Sequence, residues 1–263
     1  MIIYSEKKPE AVKASRWILN FLKENKLDAF ALNAREALEK GLSSDLDAVI
    51  ALGGDGTLLK AVKALPRKDT PILGINYGRG GYLMEAEASE MEEAIKRLID
   101  GRYSIEEVFM LSIKMDGKSI GDALNEVYIS ATTPGKIIEA EIRSGEEFLM
   151  SLVADALIIS TPVGSTAYAF SAGGPIVDQR LRAAIMVPVC PLTSARPLIS
   201  SLSKKIEISV FGEAGVQVLI DGFIKELAKE SAEIMVEESK ERVRFIRLKA
   251  GDSFARRIGK RLR

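Results

Sequence analysis

The five residues from Gly53 to Thr57, read as Gly-Gly-Asp-Gly-Thr, set one acidic side chain among three glycines. The apolar run from Ala48 to Leu52 predicts a strand before them, and the run from Leu58 to Val62 predicts a helix after them. Glycines let backbone N–H groups close around phosphate oxygens, and the start of a helix adds the positive end of its dipole. Asp55 would repel a bare phosphate, so a carboxylate here indicates work on a hydroxyl or a metal ion beside the phosphate. Phosphoryl transfer requires this arrangement.

The same five residues have a second interpretation, as a tight connection between a buried strand and a helix that Asp55 caps. Glycine-rich loops are individually weak signals of function. The motif by itself therefore leaves both interpretations open, and the rest of the chain must decide between them.

The absence of histidine from the sequence restricts the chemistry that the chain can perform. It removes serine or cysteine catalysis by a histidine base and nearly every zinc site. A general base must then be Asp, Glu, Lys, Tyr or Cys. No set of protein metal ligands is predicted, and a required metal would most naturally be Mg²⁺, held by oxygen ligands and phosphates. Asp55 could serve as the general base and as an oxygen ligand of Mg²⁺.

Composition indicates a folded chain without a strong charge bias. Of 263 residues, 47% are hydrophobic and 28% charged, so a sizeable core in one or two domains is expected. The 37 basic residues match the 37 acidic ones, which predicts no attraction to nucleic acid or to an anionic membrane. No apolar run approaches the roughly 18 residues of a membrane span. The only cysteine, Cys190, lies among valines and prolines, which predicts a buried position or one in a pocket wall rather than a nucleophile, and a reducing cytoplasm.

Residues 1–100 alternate apolar runs with amphipathic helical stretches, which predicts an α/β domain with a Rossmann-like parallel sheet. Strands are predicted at 1–4, 28–32, 47–52 and 72–75, and helices at 9–24 and about 89–100. Both glycine clusters, 53–56 and 78–81, follow strands. They therefore fall at the carboxyl ends of the strands, where ligands bind in such sheets.

From about residue 101 the hydrophobic period changes from 3.6 to 2. Apolar and polar residues alternate along 138–143 and 205–210, and turn signals such as Asp116-Gly117 separate such runs. This pattern predicts a β-rich, β-sandwich-like domain over 101–240, after which the segment from about 241 to 263 returns to the first domain. The chain ends in a basic stretch, for which a solvated helix face is favoured over a phosphate patch: Arg256, Arg257, Lys260, Arg261 and Arg263.

Three further segments accompany the first glycine loop: a second glycine turn at Gly74–Leu83, the pair Asn125-Glu126, and the long stretch Thr161–Ile176. Together these segments resemble the NAD kinase family, which phosphorylates the 2′-hydroxyl of the adenosine ribose of NAD to give NADP. The resemblance runs from about Ala48 to Gly222 and reaches Leu248. The Gly-Gly-Asp-Gly-Thr loop also occurs in diacylglycerol and sphingosine kinases, whereas the stretch after Thr161 is far more discriminating.

The resemblance implies that Asp55 accepts the proton of the ribose 2′-hydroxyl, with the amide of Gly56 near the transferring phosphate. An aspartate with a reference pKa of about 3.9 is a feeble base. Positioning and charge neutralisation dominate phosphoryl transfer, so Asp55 is expected to orient the hydroxyl more than to abstract its proton. Lys60, in the first turn of the following helix, would reach phosphate oxygens, and a solvent-facing lysine is an equally open alternative.

The resemblance also implies a pocket for the dinucleotide. Asn125 and Glu126 would hydrogen-bond ribose and adenine, Lys136 would supply a positive charge, and Asp155 would hold the nicotinamide carboxamide. Asp155 stands in the apolar run 152–159, where a carboxylate needs a partner, so a structural salt bridge is its alternative role. The remaining pocket residues would be Val163, Thr166, Ala167, Tyr168, Ala169, Phe170 and Ser171.

A member of this family would be an ATP- or polyphosphate-dependent transferase with NAD as substrate and Mg²⁺ as cofactor. By the same resemblance it would form homo-oligomers, either dimers or tetramers, with the site between the two domains. A cytoplasmic location is predicted from the single cysteine and from the lack of a long apolar run. Two other readings stay open. One is a lipid kinase of the diacylglycerol or sphingosine type, which shares the Asp55 loop, and the other is a catalytically silent regulator that binds dinucleotides.

Overall fold

The computed structural model describes residues 1–78, 80–248 and 257–259, and the chain forms two compact units. Unit 1 comprises Met1–Val108 with Arg242–Arg263, and unit 2 comprises Phe109–Glu241. The sequence placed the corresponding boundaries near residues 100 and 240. Both passages between units fall inside long strands, Ser104–Met115 and Ser231–Arg247. Because no turn or linker marks either passage, composition gives no sharp boundary there.

Unit 1 contains the following elements: β1 (Ile2–Tyr4), α1 (Pro9–Glu24), β2 (Ala31–Asn33), α2 (Ala34–Lys40), β3 (Val49–Gly53), α3 (Asp55–Ala64), β4 (Ile72–Asn76), β5 (Ala86–Glu87), a 3-10 turn at Ala88–Glu90, α4 (Met91–Ile99) and the start of β6 (Ser104–Met115). Its sheet is parallel in the order β2-β1-β3-β4, and β5 pairs with β4 on the far side. Phe245 in the last strand of the chain also pairs with Ile72 of β4 in parallel. This confirms the predicted α/β domain with a parallel sheet.

Burial explains these elements. Every residue of β3 and of β4 is buried, which matches their continuous apolar composition and is typical of a parallel sheet covered on both faces. Helix α1 has Pro9 at its start and buries one face, including Ile18 and Leu22, as the helical period predicts. The predicted strand 28–32 is shorter and begins only at Ala31.

Unit 2 is built almost wholly of antiparallel strands: β7 (Lys118–Ala123), β8 (Glu126–Ala131), β9 (Ile138–Ser144), β10 (Glu147–Ala154), β11 (Ala156–Ser160), β12 (Ala183–Val189), β13 (Leu198–Ser201), β14 (Ile206–Phe211), β15 (Val216–Ile220), β16 (Phe223–Ala228) and the first part of β17 (Ser231–Arg247). A 3-10 turn at Gly164–Thr166 and the short helix α5 (Tyr168–Ser171) interrupt them. One sheet runs β10-β9-β14-β17 and the other runs β13-β12-β11-β8-β15-β16.

A large hydrophobic core contains residues of both sheets of unit 2. Ile138 and Ile142 of β9 and Ile208 of β14 point into it beside Val127 and Ile159 from the other sheet. The polar residues between them, such as Glu139 and Glu141, are exposed. The period-2 pattern therefore identified the buried face correctly, and the predicted β-rich second domain is confirmed.

Two sequence-based expectations about burial are wrong. Cys190 is exposed and has a φ of 47°, because it occupies the bend after β12 rather than the strand itself. Arg257 is buried and pairs with Glu106 at 3.2 Å, so it does not lie on a solvated face. Arg256, Lys260, Arg261 and Arg263 lie outside the described residues. Among the residues that the structure describes, no helix is long and apolar enough to cross a membrane.

Candidate functional site

The carboxylate of Asp55 is held at the beginning of α3. Gly54 is the N-cap of this helix and Asp55 is its first residue, so only one residue separates β3 from α3. The backbone N–H of Tyr82 donates to Oδ2 of Asp55 at 3.0 Å, and that of Leu83 donates to Oδ1 at 3.0 Å. Donors at both oxygens, together with the helix dipole, stabilise the ionised carboxylate and fix its orientation.

Open space lies beside Gly54 and Gly56 of this loop, whereas Gly53 packs against Thr57. A Cβ placed on Gly56 would meet no atom within 4 Å, and one placed on Gly54 would meet only the Cα of Gly78, at 4.0 Å. The main chain at the start of α3 is therefore accessible to a ligand. Such a position, at a helix N-terminus, suits phosphate oxygens. Lys60 is half-buried in the second turn of α3, one turn beyond the predicted position.

The segment that donates to Asp55 is itself anchored by Asn76 at the end of β4. Its side-chain oxygen accepts the N–H of Gly78 at 2.9 Å, and its amide donates to Glu87 at 3.0 Å. A Cβ on Gly81 would lie 2.8 Å from Cγ of Asn76, so the main chain packs directly against this side chain. These contacts hold the residues after the second glycine cluster next to Asp55, at the start of α3.

A buried ion cluster holds the other end of this segment. Nη1 of Arg247 donates to the carbonyl of Leu83 at 3.2 Å, and the guanidinium pairs with Glu85 at 3.4 Å and Glu106 at 2.6 Å. The side chains of Arg247 and Glu85 are only 7% and 1% exposed. Burial by itself would raise the pKa of Glu106, but Arg247 and Arg257 hold that pKa below its ordinary value.

Replacing Arg247 with methionine is expected to lower the free energy of unfolding by about 3–5 kcal/mol, because it leaves the Glu85 charge buried without this partner. Arg244→Met is the matched control, since Arg244 pairs with Glu107 on the surface, where the two side chains are 41% and 51% exposed. That change should cost at most about 1 kcal/mol. Denaturant titration of both variants measures the difference, and equal losses would contradict the role of the buried cluster.

In unit 2 the main chain of Asn125 and Glu126 is held from two sides. The carboxylate of Asp221 accepts the N–H groups of Leu124 at 2.9 Å, Asn125 at 2.8 Å and Glu126 at 3.2 Å. On the other side the carbonyl of Asn125 accepts the N–H of Thr161 at 2.8 Å. The pair is therefore fixed at the start of β8 with both residues buried.

The turn after β11 packs backbone against backbone on this pair. Thr161 Oγ1 donates to the carbonyl of Leu124 at 2.7 Å and accepts the N–H of Gly164 at 2.9 Å. A Cβ on Gly164 would lie 2.2 Å from the carbonyl oxygen of Asn125. Only glycine allows so close an approach, which explains the Gly within the stretch that follows Thr161.

Glu126 is a buried carboxyl group with an unsatisfied oxygen. The residue is 7% exposed, and its Oε2 has no hydrogen-bond partner among the described residues. Burial first, and then the charge of Asp221, raise the pKa of Glu126 to about 8, while the N–H of Tyr168 acts in the opposite direction. A polar atom buried in this way needs a partner, and a ligand can supply it.

Glu126 should make stability depend on pH. An unfolded chain loses this proton near the ordinary pKa of 4.5, whereas the native protein keeps it up to about 8, so the stability falls as the pH rises between these values. Glu126→Gln should remove this fall and stabilise the protein at pH 9 by an amount on the order of a few kcal/mol, with no difference near pH 4. Thermal melts across this range test it, with the exposed Glu139→Gln as a control. Parallel curves for Glu126→Gln and the wild type would contradict it.

Two aromatic rings form part of the same region. Tyr128 on β8 and Tyr168 on α5 stack with ring centroids 5.5 Å apart. Tyr168 is 46% exposed, as is typical of a contact surface rather than of a core. Ser171 is exposed on the same helix, and Ala167 and Phe170 are half-buried.

Three predicted pocket residues are buried within unit 2. Ala169 packs with Ile158 in the core, and Val163 is 2% exposed. Thr166 donates its hydroxyl to the carbonyl of Val163 at 3.3 Å. Their side chains support the turn, so contact with a ligand would have to come through their main chain.

The acidic and basic residues predicted at the edge of the pocket lie in exposed positions. The predicted run 152–159 breaks at Asp155, which lies between β10 and β11 and is exposed, so its carboxylate needs no buried partner. Its charge acts on the hydroxyl of Tyr128. Lys136 is exposed in the turn before β9, where it lines a cavity of about 310 Å³ with Ile137 and Phe211.

Sequence reasoning missed the groups that position the site. Tyr82 and Leu83 act through backbone N–H groups, which no residue type reveals. Asp221-Gly222 is recognisable as a turn, but its contact with residues 96 positions earlier is not. Tyr128 could have been suspected as a site residue, although only weakly, because it is an aromatic residue two positions after Glu126.

Models of two known domain families match most of the chain. The model of the ATP-NAD kinase N-terminal domain matches residues 1–103, and that of the ATP-NAD kinase C-terminal domain matches residues 124–248. This chain belongs to the NAD kinase family. An NAD kinase of Thermococcus sibiricus is 38% identical over 256 residues, covering 94% of this chain and 92% of that protein. An NAD kinase of Methanothermobacter thermautotrophicus is 37% identical over 231 residues, covering 87% and 80%.

Solved structures give the same result. A crystal structure of an NAD kinase from Archaeoglobus fulgidus in complex with ATP superposes with a TM-score of 0.80 at 29% identity, covering 99% of this chain and 97% of that one. A yeast NADH kinase complexed with NADH shares the fold, with a TM-score of 0.84 at 23% identity, covering 100% and 87%. The chain is thus a phosphotransferase that converts NAD to NADP. Nothing in the matches favours the lipid-kinase or silent-regulator readings.

Proposed function

We propose that the chain transfers a phosphoryl group from ATP to the 2′-hydroxyl of the adenosine ribose of NAD, with Asp55 acting on that hydroxyl. The observation that carries the proposal is the carboxylate at the start of α3, held by two N–H groups beside the open main chain of Gly56. The A. fulgidus relative solved with ATP supports ATP as donor.

In this proposal Asp55 orients the attacking hydroxyl and receives its proton late in the transfer. Its carboxylate is acceptor-only when ionised, so it can hold a hydroxyl by accepting that hydrogen. The two backbone donors prevent it from rotating away. The open N–H groups near Gly56 and the ammonium of Lys60 would hold phosphate oxygens as negative charge shifts between donor and leaving group.

Binding of NAD would fall to the residues grouped around β8 and α5. Asn125 offers a donor and an acceptor, and the unsatisfied oxygen of Glu126 accepts from ribose hydroxyls. Tyr168 supplies an exposed aromatic face for a base. Asp155 would hold the nicotinamide carboxamide, and Lys136 would supply a positive charge.

The residues present fit Mg²⁺ only as an ion carried by the phosphates of the donor. Among the described residues no cluster of three or more acidic, histidine or cysteine side chains could hold a metal. Mg²⁺ commonly keeps several waters and binds one or two carboxylates with substrate phosphates, so Asp55 would be its protein ligand. When bound there, Mg²⁺ neutralises charge on the phosphates.

The proposal is tested by incubating the protein with NAD, ATP and Mg²⁺ and measuring NADP. Parallel reactions with polyphosphate as donor, NADH as acceptor and diacylglycerol as acceptor define the donor and acceptor classes. We expect NADP from the first reaction and no lipid phosphate. Phosphorylation of the lipid without formation of NADP would overturn the proposal.

We further infer a homo-oligomer, dimer or tetramer, in the cytoplasm. Family resemblance supports the oligomer, and the single cysteine supports a reducing compartment. Light scattering after size-exclusion chromatography measures the number of subunits, and a monomer at micromolar concentration would refute the oligomer.

A further inference from the structure

We infer that Asp221 is a positioning residue of the nucleotide site, which holds Asn125 and Glu126 in their binding geometry through the main chain. The inference rests on the proposed role of these two residues as ligands of NAD. Asp221 lies 96 positions from Asn125 in the chain and is brought to it by the pairing of β15 with β8.

The geometry of Asp221 is that of a cap on the start of β8. Three consecutive N–H groups, those of residues 124–126, point at its carboxylate, at 2.9, 2.8 and 3.2 Å. In return the N–H of Asp221 donates to the carbonyl of Glu126 at 3.0 Å. Hydrogen bonds to an ionised acceptor are roughly twice as strong as neutral ones, so one carboxylate fixes the whole turn.

The backbone at Asp221 is adapted to this task. Asp221 and Gly222 have φ values of 49° and 80°, so both residues of the turn between β15 and β16 are left-handed. Such a turn gives the two strands their tight connection. It also leaves the Asp221 side chain at the end of β15, next to the residues at which β8 begins.

The same carboxylate acts electrostatically on Glu126. The charge of Asp221 raises the pKa of Glu126, because a nearby negative charge disfavours a second one. The described groups that act on Glu126 are Asp221, from the turn after β15, and the N–H of Tyr168, from α5. Replacing Asp221 with a neutral residue therefore changes the ionisation of Glu126 as well as its position.

The chain contains a matched control in Asp116. It has a φ of 49°, precedes Gly117 with a φ of 77°, and accepts one backbone N–H, that of Glu233, at 2.9 Å. It thus shares the conformation and turn type of Asp221 but caps a different strand. Asp116→Asn removes the same charge from an equivalent turn.

The test measures the Kd for NAD by calorimetry in the wild type, Asp221→Asn and Asp116→Asn, together with NADP formation. Asparagine adopts the left-handed region readily and keeps one acceptor, so the turn is retained. We expect Asp221→Asn to weaken NAD binding about tenfold while the KM for ATP stays unchanged. Asp116→Asn should bind NAD as the wild type does.

The dependence of NAD binding on pH separates positioning from a merely structural role. Since ionised Glu126 accepts from ribose hydroxyls, wild-type binding should tighten as the pH rises through about 8. In Asp221→Asn the midpoint should move to lower pH, because one negative charge has been removed from beside Glu126. Loss of fold stability by itself would weaken binding without moving this midpoint.

Asp221→Glu provides a second variant should Asp221→Asn fold poorly. It keeps the charge but displaces the acceptor oxygens, so NAD binding should weaken while the midpoint stays near that of the wild type. If the wild type forms NADP and both Asp221 variants bind NAD as Asp116→Asn does, the inference is wrong and the proposed function stands. If the wild type forms no NADP, the proposed function itself fails.

Discussion

Asp55→Asn is expected to lower kcat by about 10²–10⁴-fold, because the variant loses the negative charge that orients the attacking hydroxyl and later receives its proton. The Kd for NAD should stay close to that of the wild type, since the groups proposed to bind the dinucleotide lie on β8 and α5. Steady-state kinetics combined with direct NAD titration separates the two quantities. A turnover near that of the wild type would refute the role assigned to Asp55.

The hydrogen bonds of Asp55 predict that Asp55→Asn also affects stability. Both oxygens of Asp55 accept backbone N–H groups, so in asparagine the amide nitrogen must face the N–H of either Tyr82 or Leu83. One buried donor is then unsatisfied, at a cost of about 1–3 kcal/mol. Asp55→Asn should therefore also lower the free energy of unfolding.

Arg247→Met separates the chemical effect from this disturbance of the loop. It removes the hydrogen bond to the carbonyl of Leu83 but keeps the carboxylate of Asp55. We expect it to reduce turnover much less than Asp55→Asn does at a temperature where both are folded. An equal loss of turnover in both variants would assign the effect to the loop and not to the carboxylate.

Gly164→Ala is expected to destabilise unit 2 by at least about 1–3 kcal/mol and to abolish tight NAD binding. The added methyl group would lie 2.2 Å from the carbonyl oxygen and 2.6 Å from the Cα of Asn125. Both are backbone atoms, which no side-chain rotation can move aside. The turn after Thr161 or the main chain of Asn125 must shift, and either movement displaces the residues proposed to bind NAD.

Gly117→Ala is the control for this prediction. Gly117 has a φ of 77°, which is unfavourable for alanine, but a Cβ there would meet no atom within 4 Å. It should cost about 1 kcal/mol through backbone strain and leave NAD binding unchanged. Calorimetry of NAD binding and denaturant titration of both variants test the contrast. Tight NAD binding by Gly164→Ala would show that the close packing is not required.

Elements with local signals were predicted well. Helix α1 spans the predicted residues 9–24 because Pro9 and a regular apolar face are enough to define it. The buried faces of β9 and β14 follow from alternation alone. In contrast, the run 152–159 reads as one strand, whereas the chain passes from one sheet to the other at Asp155. A change of sheet leaves the apolar pattern intact, so pattern reasoning could not find it.

Burial of charged residues was the least predictable property. Arg257 reads as part of a basic surface, and Glu85 carries no mark that distinguishes it from the exposed glutamates around it. Both are buried in one ion cluster: Arg247, 162 residues after Glu85, pairs with Glu85 and Glu106, and Glu106 also pairs with Arg257. The pairing of strands, and not proximity in the sequence, determines which charged residues become ion-pair partners.

The amino-acid sequence by itself determined the α/β and β-rich halves, the kinase chemistry and the position of Asp55. Hydrophobic period and glycine spacing are local patterns that can be read directly from the chain, and the lack of histidine limits the possible chemistry. Tertiary structure alone decided what holds the reactive groups: the N–H groups of Tyr82 and Leu83 for Asp55, and the carboxylate of Asp221 for Glu126. These contacts join backbone atoms to side chains 27 to 97 residues away, within hydrogen-bond distance. Every residue but proline carries the same backbone donor, so only the folded chain selects which of them point at a carboxylate.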